Sequence, residues 1–172
     1  MSSTLTLQQF NAMSEPEAAA ALRQCCAADA WILAMVSSRP FTDLADLLNQ
    51  ADAHWASMDE ANLLEAFSAH PQIGNVATLR AKYANTKALA SGEQSSVSAA
   101  DEATLQALAQ GNQDYLEKFG FIFIVCATGK SAAEMLALLQ ARLPNTRAQE
   151  LINAAEEQRK ITALRLQKLL QE

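Results

Sequence analysis

Four short polar signatures punctuate the chain and restrict what it can fold into. Ser14-Glu15-Pro16-Glu17, Ser57-Met58-Asp59-Glu60, Ser131-Ala132-Ala133-Glu134 and Thr146-Arg147-Ala148-Gln149 each set a hydroxyl three residues ahead of a Glu or Gln. In this capping-box spacing the hydroxyl accepts from the backbone N–H three residues on. The later side chain reaches back to the first residue's own N–H. Two of the donors that a helix start leaves without an intrahelical partner are thereby satisfied. Ser98-Ala99-Ala100-Asp101 is a weaker relative of the same signal. Between the signatures the chain is rich in Ala, Leu, Gln and Glu, all good helix formers. The pattern predicts helices over 15–26, 28–37, 42–56, 58–68, 75–89, 99–118, 131–142 and 147–170, with a short one near 6–12. Pro or Gly interrupts it at Arg39-Pro40, His70-Pro71, Ser91-Gly92, Phe119-Gly120 and Leu143-Pro144. The expected fold class is all-α: one compact domain over residues 1–172, of about eight to nine crossing helices, with a short extended apolar segment near 119–127.

Composition agrees with one folded domain. A chain of 172 residues can bury roughly two-thirds of its unfolded surface. Half its residues are hydrophobic, and 5 Gly plus 4 Pro are too few for a disordered chain. A net charge of −6 argues against nucleic acid or an anionic membrane surface as a partner. No stretch approaches the ~18 uninterrupted apolar residues of a membrane span. The opening Met1-Ser2-Ser3-Thr4-Leu5-Thr6 has neither a basic region nor an apolar signal core, so the expected location is the cytoplasm. Three cysteines suit a reducing compartment: Cys25 and Cys26 are adjacent, Cys126 lies in an apolar run, and no Cys-x-x-Cys occurs. With only two histidines besides, the common zinc arrangements of about four Cys or His ligands are excluded, and no metal site is expected.

One segment departs from the helical pattern. Phe119-Gly120-Phe121-Ile122-Phe123-Ile124-Val125-Cys126-Ala127-Thr128-Gly129-Lys130-Ser131 is an apolar run bracketed by glycines. It reads either as buried core or as an extended stretch offering its main-chain N–H and C=O groups for recognition. Thr128-Gly129-Lys130-Ser131 superficially resembles a phosphate loop, but Ile124 stands where the first glycine of that motif belongs, which rejects a nucleotide reading.

A few polar residues fall where a purely structural account is strained. His70 follows an amphipathic stretch (Leu63, Leu64, Phe67) and precedes Pro71, which turns its backbone away from helix. Pro71 and Gly74 fix a turn there, and an imidazole is the usual proton carrier near neutral pH. His54, inside a predicted helix, has only a structural reading. Glu93 and Gln94 lie in a polar loop after Ser91-Gly92, and a carboxylate beside an amide can both accept from and donate to a planar urea-like or lactam-like ligand. A solvated loop is the alternative. Arg165 shares a helix face with Ile161 and Leu169, setting a guanidinium on an apolar stripe where it needs an anionic partner. Arg159 and Lys160 read as surface charges.

Taken in order, His70-Pro71-Gln72-Ile73-Gly74, Ser91-Gly92-Glu93-Gln94, Asn112 to Tyr115 with Lys118-Phe119-Gly120-Phe121-Ile122-Phe123-Ile124, Ala127-Thr128-Gly129-Lys130-Ser131, Arg142-Leu143-Pro144-Asn145, and Lys160-Ile161-Thr162 with Leu164-Arg165-Leu166 resemble the 2-oxo-4-hydroxy-4-carboxy-5-ureidoimidazoline (OHCU) decarboxylases. The resemblance runs from about Leu7 to Leu170. Each motif alone is weak and the ordered set is specific. One departure is the single Gly92 between Ser91 and the Glu-Gln pair, where the family has more residues, which puts a role for Ser91 in doubt.

The resemblance implies an all-helical enzyme of ureide metabolism that converts a small ureidoimidazoline substrate to (S)-allantoin without metal or organic cofactor, and it suggests a homodimer. It implies that His70 and Glu93 are catalytic; an imidazole oriented by that carboxylate is the expected proton carrier. It also implies that Arg165, Gln94, Pro71 and Ser91, with the main chain of Phe121, Ile122 and Phe123, contact the substrate. Two rival classes stay open on the residues alone. A non-catalytic helical interaction module explains the helices and the acidity, but not Arg165 on an apolar face. Another ureide-pathway enzyme, such as a hydrolase, would need a positioned water and typically a different constellation.

Overall fold

A computed structural model describes residues 5–70, 76–77 and 99–171 of the chain. The fold is all-α, as the capping pattern predicts. Among the described residues there are eight helices: α1 (Leu7–Ala12), α2 (Glu15–Arg23), α3 (Asp29–Ser37), α4 (Leu44–Ala56), α5 (Glu60–Ser68), α6 (Ala99–Phe119), α7 (Ala132–Arg142) and α8 (Arg147–Leu169). The helix expected over 75–89 and the loop holding Ser91, Glu93 and Gln94 lie outside the described residues, as does Pro71.

The helix starts show which signatures work. Ser14 and Glu17 form both bonds of the box at α2, and Ser131 and Glu134 do so at α7, at 2.9 and 3.1 Å. Thr146 Oγ1 accepts from Gln149 N–H at 3.2 Å at the head of α8. The Ser57 signature is a correction. Ser57 instead ends α4, donating its hydroxyl to the His54 carbonyl at 2.8 Å. Asp59 caps α5 by accepting from Asn62 N–H at 3.0 Å. A carboxylate is a stronger acceptor for helix N–H groups than a hydroxyl, so α5 begins two residues later than the spacing of Ser57 suggests. The short first helix carries a box of its own, between Thr6 and Gln9.

The described residues fall into two compact units. One comprises Met1–His70, Ile124–Cys126 and Ala154–Glu172. In it α3 packs against α2, α4 and α5, around Phe10, Leu22, Trp31, Ile32, Met35, Leu47 and Phe67, all within 2 % of complete burial. Each such side chain contributes about 1.5–3 kcal/mol over leaving it in water. Two buried indoles find polar partners: Trp31 Nε1 donates to the Ala51 carbonyl at 3.1 Å and Trp55 Nε1 to the Ala155 carbonyl at 2.9 Å. The second bond ties α4 to α8. Leu5–Thr6 (β1) and Leu170–Gln171 (β2) pair in parallel, a two-residue ladder absent from the sequence reading because so short a pairing has no measurable period.

The second unit comprises Pro71–Phe123 and Ala127–Asn153. Here α6 lies close against α7: a Cβ at Gly111 would stand 2.5 Å from Leu139 Cδ2, so this crossing requires the missing side chain. Phe119 ends α6. The two glycines that bracket the apolar run both adopt the left-handed backbone conformation, with φ +82° at Gly120 and +77° at Gly129. Gly120 N–H closes the end of α6 on the Leu116 carbonyl at 2.9 Å. From there the chain runs without helix to Ala127, with Phe121, Phe123 and Ile124 buried.

Candidate functional site

His70 stands immediately beyond the end of α5, its backbone N–H bonded to the Phe67 carbonyl at 3.1 Å. The ring reaches α8, where its Nε2 lies 2.6 Å from Oε1 of Gln158. Gln158 Nε2 donates to Thr162 Oγ1 at 3.0 Å. Thr162 Oγ1 donates in turn to the main-chain carbonyl of Cys25, 3.5 Å away in the connection between α2 and α3. Arg165 Nη1 donates to the same carbonyl at 3.4 Å. Four side chains and one carbonyl thus form a single hydrogen-bonded line inside the first unit.

That line borders a cavity of about 240 Å³. Its walls are Arg23 at the end of α2, Gln24, Cys26 and Ala27 beyond it, Ala66 of α5 with Ala69 and His70 just past its end, and Gln158 and Arg165 of α8. Small residues on two sides leave the volume, while one imidazole, two amides and two guanidinium groups supply its chemistry. Arg23 is already engaged, its Nη2 2.6 Å from Asp29 Oδ1. The cavity therefore offers cationic walls beside a half-buried histidine, an arrangement suited to a small ligand that carries a carboxylate.

Burial is the chief cause that lowers the His70 pKa from its ordinary value; the bond to Gln158 opposes it and the charge on Arg165 adds to it. The imidazole is therefore held neutral near neutral pH and ready to take a proton. Burial likewise pushes the Cys25 thiol up to about 12 and raises that of Cys26. Both cysteines stay protonated core residues, as the sequence suggests, and neither is poised as a nucleophile. His54 is also as expected: Ser38 Oγ, which donates to the Ala34 carbonyl at 2.8 Å, sits 2.8 Å from its Nε2. Arg159 pairs with Glu156 at 2.6 Å and Lys160 with Glu157 at 2.8 Å, outside the cavity lining.

Of the residues singled out from the sequence, the structure brings His70 and Arg165 to one cavity. The burial of Arg165 needs correcting. The buried stripe of α8 is Glu150, Ala154, Gln158, Thr162 and Leu166, while Ile161 and Leu169 are half-buried and Arg165 is exposed on the flank. Arg165 follows Gln158 by seven residues, only about 20° around the helix, which is why both face the cavity. Gln158 and Thr162 are the residues the sequence reading missed. Their signal was a four-residue spacing shared with Ala154 and Leu166, masked by their polarity.

Phe121, Ile122 and Phe123 belong to the second unit. Phe121 and Phe123 are buried, their rings edge-on to Tyr115 at 5.9 and 5.2 Å. Behind them lies Glu150, wholly buried and accepting from Tyr115 Oη and Arg142 Nε through one oxygen and from the amides of Asn145 and Asn153 through the other. Among the described residues no group of three or more His, Cys, Asp and Glu side chains is placed to hold a metal ion. No described helix is long and apolar enough to cross a membrane.

Comparison with known proteins sets this geometry in a family. The chain is 39% identical over 145 residues to the uric acid degradation bifunctional protein TTL of Arabidopsis thaliana, covering 84% of this chain but only 45% of that one. It is 34% identical over 143 residues to the 2-oxo-4-hydroxy-4-carboxy-5-ureidoimidazoline decarboxylase of Amia calva, covering 80% and 78% of the two chains. A crystal structure of OHCU decarboxylase in the presence of (S)-allantoin superposes with a TM-score of 0.69 at 37% identity, over 91% of this chain and 98% of that one. The family model for OHCU decarboxylase matches residues 11–167, the stretch that contains His70, Gln158, Thr162 and Arg165, and the chain belongs to the OHCU decarboxylase family.

Proposed function

We propose that this chain decarboxylates 2-oxo-4-hydroxy-4-carboxy-5-ureidoimidazoline to (S)-allantoin, the last step from urate to allantoin, as a cofactor-free carboxy-lyase. The observation that carries the reading is His70 and Arg165 on one small cavity in a chain of this family. The substrate supplies its own electron sink. When the C–CO₂ bond breaks, its electron pair moves toward the adjacent ring C=N, where other decarboxylases use a cofactor. The hydroxyl on the same carbon loses its proton and becomes the ring carbonyl of allantoin. The neighbouring carbon gains a proton on one face, which sets the (S) configuration. As carbon dioxide leaves, the ring nitrogen that receives the electron pair takes up one proton from the medium, and the proton lost by the hydroxyl is matched by the one gained at carbon, so atoms and charge balance.

In this scheme His70 takes the hydroxyl proton, and Arg165 holds the carboxylate and the developing oxyanion. A well-placed donor of that kind contributes about 3–4 kcal/mol to the transition state. Glu93, with Gln94, Pro71 and Ser91, lies outside the described residues, and the family resemblance supports Glu93 as the partner carboxylate. Main-chain contacts from Phe121, Ile122 and Phe123 belong to the same proposal. They are supported by the family resemblance, and the rings of Phe121 and Phe123 are committed to the core around Tyr115. A homodimer working in the cytoplasm, taking neither nucleic acid nor membrane as partner, completes the reading.

The test supplies freshly generated substrate and follows the circular dichroism of the product. The expected result is a fast, protein-dependent rise of the (S)-allantoin signal. A product that forms no faster with the protein than without it, or that forms racemic, would overturn the assignment.

A further inference from the structure

We propose that Gln158 and Thr162 are positioning residues that hold His70 in one tautomer, protonated on Nε2, so that Nδ1 is the atom that takes up the substrate's proton. The proposal rests on reading His70 as the proton carrier of the decarboxylation.

The polarity of the hydrogen-bonded line is dictated from its far end. A main-chain carbonyl can only accept, and the Thr162 hydroxyl faces the Cys25 oxygen and the Cys26 sulfur, so its single hydrogen is directed to that side and away from Gln158. With that hydrogen committed, Thr162 Oγ1 can only accept from Gln158, and the part of the amide facing it at 3.0 Å is the NH₂ group. The amide is planar, so its oxygen points the other way, toward His70 at 2.6 Å. An amide oxygen at that distance from a ring nitrogen requires a hydrogen between them, and Nε2 must carry it. In the neutral ring the lone pair then resides on Nδ1.

Two features keep the line from reversing. Gln158 and Thr162 are 1% and 6% exposed, so water does not compete for either polar group. The Cys25 carbonyl is also gripped by Arg165 Nη1, which ties the anchor of the line to the guanidinium on the same cavity. A reversed amide would set NH₂ against His70 and pull the Thr162 hydrogen away from Cys25, leaving a buried carbonyl with one donor fewer. Thr162 lies outside the cavity lining, and Gln158, though part of it, commits its amide oxygen to His70 and its NH₂ to Thr162, which makes them positioning rather than catalytic.

The chain has two histidines, which makes the test direct. Long-range ¹H–¹⁵N correlation spectra of the ¹⁵N-labelled protein at about pH 8, above the ordinary imidazole pKa of about 6.5, report the tautomer of each ring. The His70→Asn spectrum identifies which signals belong to His70. The expected result is a single Nε2–H tautomer for His70. In Thr162→Val and Gln158→Leu, both near-isosteric, that preference should be lost and kcat should fall about 10–100-fold, with KM changed less. This is the range expected when a partner that orients a histidine is removed. Thr162→Ser, which keeps the hydroxyl, should restore both tautomer and turnover. An Nδ1–H tautomer in the native protein, a ring that stays doubly protonated at that pH, or variants that keep both tautomer and turnover would each overturn the proposal. The tautomer is read without substrate. A native protein that forms no allantoin yet shows the Nε2–H ring would sink the decarboxylase reading alone.

Discussion

Arg142 and Glu150, at the end of α7 and near the start of α8, meet at 2.7 Å with the carboxylate completely buried. The same guanidinium lies over the Phe123 ring, 4.6 Å from its centre, and the same carboxylate accepts from Tyr115 Oη. One ion pair thus joins two helix ends to the aromatic cluster from which the extended segment leaves. The carboxylate is fully used: four donors, two to each oxygen.

This geometry predicts how Glu150 tolerates change. Glu150→Gln keeps the shape and one accepting oxygen, and the amides of Asn145 and Asn153 can turn to meet the new NH₂. The expected cost is about 1–3 kcal/mol. Glu150→Leu removes both carboxylate oxygens beside a buried guanidinium and should cost about 3–5 kcal/mol. Urea unfolding of the two variants checks the order. Equal and small losses would show that the cluster contributes little.

The same residue predicts part of the acid sensitivity. Burial alone would raise the Glu150 pKa, but hydrogen bonds from Asn145, Tyr115, Asn153 and Arg142 outweigh it and hold the carboxyl below its ordinary value. A group depressed in the folded state binds fewer protons folded than unfolded. Its contribution is therefore complete above the unfolded pKa of about 4.3 and is lost as pH falls through the lower folded value. The stability difference between the native protein and Glu150→Gln should be constant above about pH 5 and shrink below it. A difference independent of pH down to the acid transition would refute this.

The helical frame was legible because its signals are local. Ser14 with Glu17 and Ser131 with Glu134 act within one turn, so the spacing alone predicts the bonds they make. Ser57 misleads because Asp59, two residues on, is the better cap and no spacing rule ranks the two. The pairing of Leu5–Thr6 with Leu170–Gln171 depends on bringing distant parts of the chain together, which no local pattern encodes. At the site, His70 and Arg165 were legible through the ordered motifs. Gln158 and Thr162 were not, because polar residues on a helix ordinarily face water. Only the packing of α8 against the Cys25 carbonyl and His70 turns them inward.

His70 predicts a shape for the pH dependence of activity. Its proton-accepting form is neutral. Burial and Arg165 lower its pKa while Gln158 opposes them. The groups lining the cavity beside it are Arg23, Cys26, Gln158 and Arg165. The acid limb of kcat/KM should fall below the ordinary imidazole value of about 6.5. Removing the positive charge in Arg165→Gln makes protonation easier, so the residual activity should lose its acid limb at higher pH. His70→Asn should lower turnover at least ~100-fold with the fold intact by circular dichroism. Near-normal turnover in that variant would remove His70 from the mechanism.

The last prediction separates Arg165 from the other cations of α8. Arg165 is exposed, yet it lines the cavity and shares the Cys25 carbonyl with Thr162, so its head group is held at the cavity rather than left to solvent. A guanidinium grips a carboxylate through paired, planar hydrogen bonds, and an ammonium cannot reproduce that fork. Arg165→Lys should therefore lose much of its turnover despite keeping the charge. Arg159 points elsewhere, toward Glu156 and Asp52, and Lys160 is paired with Glu157. Arg159→Lys and Lys160→Arg should leave activity within about twofold and stability within about 0.5 kcal/mol, the scale of exposed ion pairs. Allantoin titrated into the variants provides the second measurement. Its binding should weaken in Arg165→Lys and be unchanged in Arg159→Lys. The reverse pattern would move the anion-holding role from the face shared with Gln158 to the face that carries Arg159, about 120° around the helix from Arg165.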